Sequence, residues 1–394
     1  MNFSNGIIQE LVQSAALQDL RQAIDPEAVL AEAVAIQQIA APTFHEHERA
    51  EYVRQRFEQA GLRDVAIDSM LNVYGCWPGQ QADRPAVMLS AHLDTVFGLG
   101  TDLTTRREGA RLYGPGIGDN SIAVAGLLVL IDLFARREIR PDADIWFVAN
   151  SREEGLGNLD GIREAWHRLH DQLGAAIVVE GMALGRVYRA GIAVRRLKIT
   201  CHAPGGHSWL HFGAPSAIHG LIALGGRILA LKPPDKPRTT YNVGLIEGGC
   251  SVNSLATNAH FYLDMRSETA EGLQALEQAV LNAVTSTRTR DLTFEIEVVG
   301  NRPAGAIDPE HPLVQTALAA LRAVNIRGVL DAGSTDANML LAKGLPTVTV
   351  GISVGGYAHR PDEYVEIGPV RDGLWHLLLL VLAAAQQVET WRQP

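Results

Sequence analysis

The chain has 394 residues, of which 47% are hydrophobic and 20% are charged, and its formal net charge is −10. This length exceeds what one hydrophobic core usually holds, so two domains are expected, and the composition is typical of a globular protein. No basic block accompanies the negative balance, so we expect no nucleic-acid partner.

The cysteines and the apolar segments of the chain indicate the cellular compartment. Cys76, Cys201 and Cys250 are far apart and odd in number, which predicts no disulfide framework and favours a reducing, cytoplasmic compartment. The first ten residues lack a basic segment followed by an apolar core, so no signal peptide is predicted. The longest apolar stretch, 374–385, contains His376 and is too short to span a bilayer, so we expect no membrane partner.

Residues 1–62 are predicted to be helical, and strands and helices alternate from residue 86 to residue 179. Apolar residues at helical spacing predict helices, and short apolar runs predict strands. The predicted helices are 11–24, 27–39, 45–60, 121–136 and 161–173, and the predicted strands are 64–67, 72–77, 86–90, 144–149 and 175–179, with a loop and hairpin over 99–118. This alternation predicts an α/β fold, a mostly parallel sheet flanked by helices.

The pattern changes near Gly191. The next predicted elements are strand 193–201, helix 214–231, strands 241–247 and 256–266, helix 273–285 and strand 292–299. This β-α-β-β-α-β order predicts a ferredoxin-like α+β unit. The first pattern then resumes with helices 313–324 and 338–343, strand 347–351 and a helix from 371. We therefore expect a discontinuous catalytic, metal-binding domain, 1–190 with 301–394, and an inserted domain, 191–300.

A buried strand within Ala86–Val96 ends in His92-Leu-Asp94. Alternate residues of a strand share a face, so Asp94 can hold the imidazole of His92, as carboxylates do behind metal-binding histidines. Open α/β sheets bind ligands at the carboxyl ends of their strands. Taken alone, the pattern also fits a hydrogen-bonded core histidine.

Four further places offer acids or a histidine at predicted strand ends or in glycine-rich loops. They are Asp119, the pair Glu153-Glu154, Glu180 and His359. Asp119 alone also fits a helix N-cap. The acidic pair also fits a solvated loop, although adjacent carboxylates at a strand end repel unless a cation or a proton intervenes.

The combined donor set points to metal chemistry. His92, Asp119, Glu154, Glu180 and His359 supply two imidazoles and three carboxylates. This set suits zinc, and manganese or cobalt are alternative occupants. Five protein ligands are too many for one open catalytic zinc, but they fit two divalent ions about 3.5–4 Å apart if one carboxylate bridges them.

In order and spacing, these motifs resemble those of the M20 family of metallopeptidases and amidohydrolases, which includes glutamate carboxypeptidases, aminoacylases and tripeptidases. The resemblance covers nearly the whole chain. It rests on Ser-Ala-His92-Leu-Asp94-Thr-Val, Gly118-Asp119-Asn120, Glu153-Glu154-Gly155, Glu180, His207-Ser and His359.

The resemblance implies a role for each donor. Asp119, with a cis peptide to Asn120, would bridge the two metals. His92 and Glu180 would complete one metal site, and Glu154 and His359 would complete the other. Glu153 would be the general base, which fits the tendency of neighbours on an extended chain to point opposite ways.

The resemblance also implies that the inserted domain is a lid that mediates homodimerisation. His207 matches the lid histidine that stabilises the oxyanion, often across the dimer, although a loop histidine that caps the next helix is the alternative. Arg266 matches the lid arginine that binds a substrate carboxylate, and Asn253 would add a hydrogen bond. The lysine that commonly follows the Asp119 motif is absent, which leaves the substrate subfamily open.

The predicted function is two-metal hydrolysis of an amide or peptide bond in a small molecule or short peptide that carries a free carboxylate. Dipeptidases, tripeptidases, carboxypeptidases and aminoacylases act in this way. One alternative is an amidohydrolase for a non-peptide C–N bond, such as an N-carbamoyl or arylamine group. A catalytically silent binding protein is the other, and it is disfavoured because the donor set and Glu153 are all present.

Overall fold

The computed structural model describes residues 3–391 except 15, 16, 18 and 82, and the side chains of residues 3–5 lie outside the described part. It divides into two compact units. Unit 1 is Met1–Gly191 with Gly305–Pro394, and unit 2 is Ile192–Ala304. Gly191 and Gly305, where the chain leaves and re-enters unit 1, are antiparallel partners in the sheet of that unit.

The helices and strands are numbered in chain order. The α-helices are α1 (Phe3–Gln13), α2 (Leu20–Ala23), α3 (Pro26–Gln37), α4 (His47–Gln59), α5 (Ile122–Arg136), α6 (Asp160–Leu169), α7 (Ala217–Leu229), α8 (Ala270–Thr287), α9 (Pro312–Ala323), α10 (Ala337–Ala342) and α11 (Val370–Gln387). A π-helical turn covers Ile117–Ser121, and 3-10 turns cover Gly155–Gly157 and Val388–Trp391.

The strands are β1 (Arg63–Ile67), β2 (Val73–Trp77), β3 (Ala86–His92), β4 (Arg106–Glu108), β5 (Arg111–Tyr113), β6 (Ile145–Asn150), β7 (Leu173–Val179), β8 (Arg186–Gly191), β9 (Ala193–His202), β10 (Gly206–His207), β11 (Thr239–Gly248), β12 (Ser254–Leu255), β13 (Asn258–Ser267), β14 (Thr293–Arg302), β15 (Gly305–Ala306), β16 (Val329–Gly333), β17 (Thr347–Val350), β18 (Gly355–Gly356) and β19 (Tyr364–Glu366).

The main sheet of unit 1 has the order β1-β2-β6-β3-β7-β17-β8-β15, with β16 beside β8. Its central strands β6, β3, β7 and β17 are parallel. Every residue of β3, β6 and β7 is buried, and α5 and α11 both contact β3. Strands buried on both faces need continuous apolar runs, which is why they were recognisable in the sequence. The predicted α/β fold is confirmed.

Unit 2 is built on the antiparallel sheet β14-β9-β13-β11. Alternate residues of β9 and β13, among them Leu197, Ile199, Phe261 and Leu263, are buried in a core shared with α7 and α8. This strand order and the two helices match the predicted ferredoxin-like unit.

Some predicted elements were wrong in extent. The helix expected over 11–24 is instead α1, which ends at Gln13, and the short α2, and part of the stretch between them lies outside the described residues. The helix expected over 161–173 ends at Leu169, because Leu173 is already paired with Ala86 in the sheet. Strand β8 was missed because Arg186 and Arg189 interrupt its apolar residues.

The segment Ile117–Arg136 is long and apolar enough to cross a membrane, but 83% of its most apolar window is buried inside the protein. A core helix that is surrounded by other elements can be as long and as apolar as a membrane-spanning helix. Helix α5 contacts α3 and β3, so its apolar surface is already covered within unit 1.

Helix α11, which is mostly apolar, contains a buried histidine that should make the fold sensitive to acid. His376 is fully buried, its Nδ1 lies 3.2 Å from the backbone oxygen of Gly373, and its Nε2 has no hydrogen-bond partner among the described residues. Burial lowers the pKa of His376 to about 4. The folded protein therefore keeps this ring neutral at pH values where the unfolded chain protonates it.

We predict that His376→Gln reduces the acid sensitivity of unfolding. Because the folded pKa lies below the unfolded value of about 6.5, stability is lost as pH falls from about 6.5 towards 4. Between pH 8 and pH 5, the wild type should lose about 2 kcal/mol more unfolding free energy than the variant. Urea denaturation at a series of pH values measures this difference, and His167→Gln, on the exposed side of α6, is the control. Parallel pH profiles for wild type and His376→Gln would contradict the prediction.

Candidate metal centre

Five donor side chains of unit 1, three of them at or just after strand ends, lie close together. His92 is the last residue of β3, Glu180 directly follows β7, and Glu154 lies in the loop after β6. Asp119 lies in the turn before α5, and His359 lies between β18 and β19. The parallel strands β6, β3 and β7 are neighbours, so their carboxyl ends present these groups at one edge of the sheet.

The donors form two groups that share Asp119. In the first, the Nε2 atom of His92 lies 3.1 Å from Oδ1 of Asp119 and 3.7 Å from Oε2 of Glu180. In the second, the Nε2 atom of His359 lies 3.2 Å from Oδ2 of Asp119 and 3.0 Å from Oε1 of Glu154. Each oxygen of Asp119 therefore faces a different imidazole.

These separations fit metal coordination. Two ligands that are each about 2.0–2.1 Å from a tetrahedral zinc lie about 3.3 Å from one another. The four distances above bracket that value, and within each group the ligand atoms all lie within 4.8 Å of one another. The residues present therefore suit divalent cations in both groups.

The ring of His92 is oriented by a backbone group. Its Nδ1 lies 3.0 Å from the backbone oxygen of Asp94, whereas the nearer carboxylate oxygen of Asp94 is 3.6 Å away. Asp94 is therefore the residue that orients His92, as expected, but it does so through its backbone oxygen and not through its carboxylate. An Nδ1–H that donates to this oxygen leaves the Nε2 lone pair free to coordinate a metal.

The carboxylate of Asp94 instead holds the acidic pair. It is fully buried, Oδ1 accepts from the backbone N–H of Glu153 and Oδ2 from that of Glu154, both at 2.9 Å, and Oδ2 also accepts from the Thr43 hydroxyl at 2.8 Å. Burial alone would raise the pKa of Asp94, but His92 and the two N–H groups outweigh it and keep the pKa below its usual value. Asp94 therefore stays ionised and fixes the loop that carries Glu153 and Glu154.

Other polar side chains hold the remaining donors, and most of these supporting residues were not predicted from the sequence. The amide of Asn120 donates to the backbone oxygen of Val179 and accepts from the N–H of Gly181, both at 2.8 Å, and so brackets Glu180. The Asp119–Asn120 peptide is cis, as the resemblance implied.

Glu363 performs a similar task for Asp119. Its Oε1 accepts from the N–H groups of Gly118 and Asp119 at 2.7 and 2.9 Å, and its Oε2 accepts from the N–H of His359 at 3.3 Å. Burial and the charge of Asp119 raise the pKa of Glu363 to about 8. An acid four residues after His359 was the only sequence signal for this role.

The protonation of the imidazoles reflects the surrounding acids. Hydrogen bonds to Asp119 and Glu154 raise the pKa of His359 to about 10. Burial opposes protonation of His92, but its contacts with Asp119, Asp94 and Glu180 still raise its pKa well above the ordinary value. Burial raises the pKa of Glu180. The arrangement of acids thus stabilises positive charge at the places where cations would bind.

The pattern that describes peptidase family M20/M25/M40 matches residues 88–383. The chain belongs to this family. It is therefore a metallopeptidase relative that hydrolyses peptide or amide bonds, and the donor groups described above can hold metal ions.

The chain is also similar to individual proteins with peptidase or desuccinylase names. Succinyl-diaminopimelate desuccinylase of Corynebacterium glutamicum is 25% identical over 296 residues, 73% of this chain and 78% of that protein. Carboxypeptidase G2 of Pseudomonas sp. is 26% identical over 313 residues, 75% of this chain and 73% of that protein. A tripeptidase from Staphylococcus aureus, 19% identical, shares the fold with a TM-score of 0.76 and covers 92% of this chain and 100% of its own.

The remaining predicted site residues of this M20 protein lie in unit 2. His207 and Asn253 are on adjacent segments, because β10 pairs with β12 and the N–H of Ser208 donates to the Asn253 backbone oxygen at 3.0 Å. Arg266 lies near the end of β13, where its Nε donates to Oδ2 of Asp264 at 2.7 Å. The structure thus brings His207 and Asn253 together, while Arg266 has a partner that was not predicted.

The loop of His207 is held by a residue to which no role was assigned from the sequence. The N–H of His207 donates to Nδ1 of His211 at 2.9 Å. The Nδ1 of His207 accepts from the N–H of Trp209 at 3.2 Å, so its neutral ring carries the proton on Nε2. This nitrogen is therefore a hydrogen-bond donor.

We predict that Asp94→Asn weakens metal binding about 10- to 100-fold, the usual effect of removing a group that orients ligands. The N–H groups of Glu153 and Glu154 bind different oxygens of Asp94, and in the amide one of these oxygens is replaced by an NH₂ group, so one buried N–H would face another donor. Competition with a chelator of known affinity measures the change. Asp171→Asn, at a side chain that is 91% exposed, is the control. Equal affinity in Asp94→Asn and wild type would show that the loop does not depend on this carboxylate.

Proposed function

We propose that this chain cleaves an amide or peptide bond of a small substrate with a free carboxylate, and that it uses two divalent ions, zinc in the first place. The ions would be held by His92, Asp119, Glu154, Glu180 and His359. The observation that supports this most is that the two oxygens of Asp119 face imidazoles of two different donor groups. A carboxylate shared in this way is what two adjacent ions require.

The chemistry of the reaction divides between the ions and the chain. When bound, the ions lower the pKa of a water molecule and polarise the carbonyl that it attacks. We assign to Glu153 the transfer of the proton from that water to the leaving nitrogen. In support, Glu153 is 5% exposed, and one of its oxygens lies within 4.8 Å of the ligand atoms of His92 and Glu154. His207, through its Nε2–H, is proposed to stabilise the oxyanion.

We further propose a homodimer formed through unit 2 and a reducing, cytoplasmic setting. Strand β11 is an edge of the unit 2 sheet, and its Leu245 and Ile246 are 58% and 62% exposed. Ile222 and Leu229 of α7 are also exposed. Apolar side chains on an edge strand favour pairing with another chain. Cys76, Cys201 and Cys250 are all free, which supports the reducing setting.

A hydrolase of a non-peptide C–N bond is the second candidate. The observation that favours it is the pairing of Arg266 with Asp264, which occupies part of the guanidinium that would otherwise bind a carboxylate. Arg196 also donates to Asp264, at 2.9 Å, so Asp264 has a second cation and does not depend on Arg266. In the first candidate function Arg266 binds the substrate carboxylate, and in the second it does not.

We predict that Glu153→Gln and Glu154→Gln separate catalysis from metal binding. Glu153→Gln should lower kcat about 10²- to 10⁴-fold, because an amide cannot take up the proton, and it should keep the wild-type metal content. Glu154→Gln should lose metal, because it removes a ligand of the second group. Metal analysis of purified protein and single-turnover assays measure both effects. An active Glu153→Gln variant would exclude the base role, and activity that withstands a chelator would exclude the metal mechanism.

We predict that Arg266→Ala raises KM about 10- to 100-fold for N-acyl amino acids and dipeptides, with kcat nearly unchanged, because a charge-assisted hydrogen bond is lost. Amide derivatives without the free carboxylate should show the wild-type KM. Arg288→Ala, at an exposed position after α8, serves as the matched control. If KM rises equally for substrates with and without a carboxylate, the second candidate function is favoured.

A further inference from the structure

A recess of about 430 Å³ lies in unit 1 at the end of the sheet opposite to the metal centre. Leu173, the first residue of β7, lines it, and Glu180 follows the last residue of the same strand. At about 3.3 Å per residue, the recess is therefore about 20 Å from the metal centre. We call it the tryptophan recess, because Trp166 and Trp391 both line it.

Three residues that line this recess carry hydrogen-bond donors for which the described part of the chain provides no partner. Trp391 is buried, with only 6% of the residue exposed, and its indole Nε1 has no hydrogen-bond partner among the described residues. The Nδ1 of His311 accepts from the N–H of Leu313 at 3.1 Å, so the neutral ring carries its proton on Nε2. In the described part of the chain, the ammonium of Lys343 makes no hydrogen bond and no ion pair. A buried donor without a partner is costly.

An acid and apolar walls complete the lining. Asp308 accepts from the N–H of Glu310 at 2.7 Å through one oxygen, and no lysine or arginine among the described residues pairs with it. Trp391 contacts the ring of His311 edge to face, at 5.8 Å between centroids. The recess thus combines three donors, one carboxylate and two indoles. An inorganic anion would match the donors alone, and an alkylamine would match the acid alone.

We propose that the tryptophan recess is a second small-molecule site, for a free α-amino acid with an apolar side chain. Its carboxylate would receive hydrogen bonds from Lys343 and His311, and from the Trp391 indole once that side chain turns its buried Nε1 towards the recess. Its ammonium would pair with Asp308, and its side chain would lie against Trp166. The volume is in the range of small-molecule pockets, about 300–1,000 Å³. This site is separate from the hydrolytic centre and does not depend on the function proposed above.

The test measures the binding of L-leucine and L-phenylalanine to the full chain. Metal is first removed with a chelator, so that no compound is hydrolysed during the measurement. The six tryptophans give indole N–H signals in a ¹H–¹⁵N spectrum, and Trp391→Phe assigns the signal of interest. We expect that signal to shift saturably with either amino acid. L-leucinamide, which lacks the carboxylate, and 4-methylpentanoate, which lacks the ammonium, should bind more weakly.

Lys343→Gln is the decisive variant, because the side chain is exposed and its loss leaves the core intact. It should weaken binding of L-leucine about tenfold. Lys232→Gln, at an exposed lysine of unit 2, should bind as the wild type does. A Trp391 signal that does not move, or L-leucine binding that is equal in Lys343→Gln and wild type, would overturn the proposal. Neither result would bear on hydrolysis at the metal centre.

Discussion

The buried carboxylate of Asp94 accepts the hydrogen bonds around which the candidate metal centre is arranged. The donor acids repel one another, so their positions have to be fixed by groups that are not donors themselves. Asp94 does this by accepting from consecutive N–H groups of Glu153 and Glu154, while its own backbone oxygen sets the ring of His92. One residue therefore couples a histidine at the end of β3 to two acids in the loop after β6.

The same principle recurs around the site. Asn120 brackets Glu180, and Glu363 holds Asp119 and His359 by their main chains. The backbone of His359 is in the left-handed region, with φ 67°, a conformation that costs about 1–3 kcal/mol for a residue with a side chain. The hydrogen bond that the N–H of His359 donates to Glu363 helps to hold it. Preorganisation of this kind lets ligands meet a cation without first being ordered.

The sequence could predict what depends on local pattern. The fully buried strands β3, β6 and β7 were visible as apolar runs, and His92, Glu154 and Glu180 were visible because they end or closely follow those runs. Strand β8 was missed because its arginines interrupt the apolar residues. Asp264, the partner of Arg266, lies two residues earlier in β13, and the alternating pattern of that strand gives no sign of the ion pair. Glu363 could not be predicted as a support for Asp119, because the two are 244 residues apart and only the folded chain brings them into contact. The binding roles assigned to His207, Asn253 and Arg266 stay predictions.

Gly191 and Gly305 mark where unit 2 interrupts unit 1, and they lie opposite one another on paired strands. The departure and return of the chain are thus only one strand spacing apart, about 4.8 Å. A tight turn could close that gap without re-routing any other strand. The whole of unit 2 could therefore be removed or replaced as a single module, while unit 1, which carries the metal donors, keeps its connectivity.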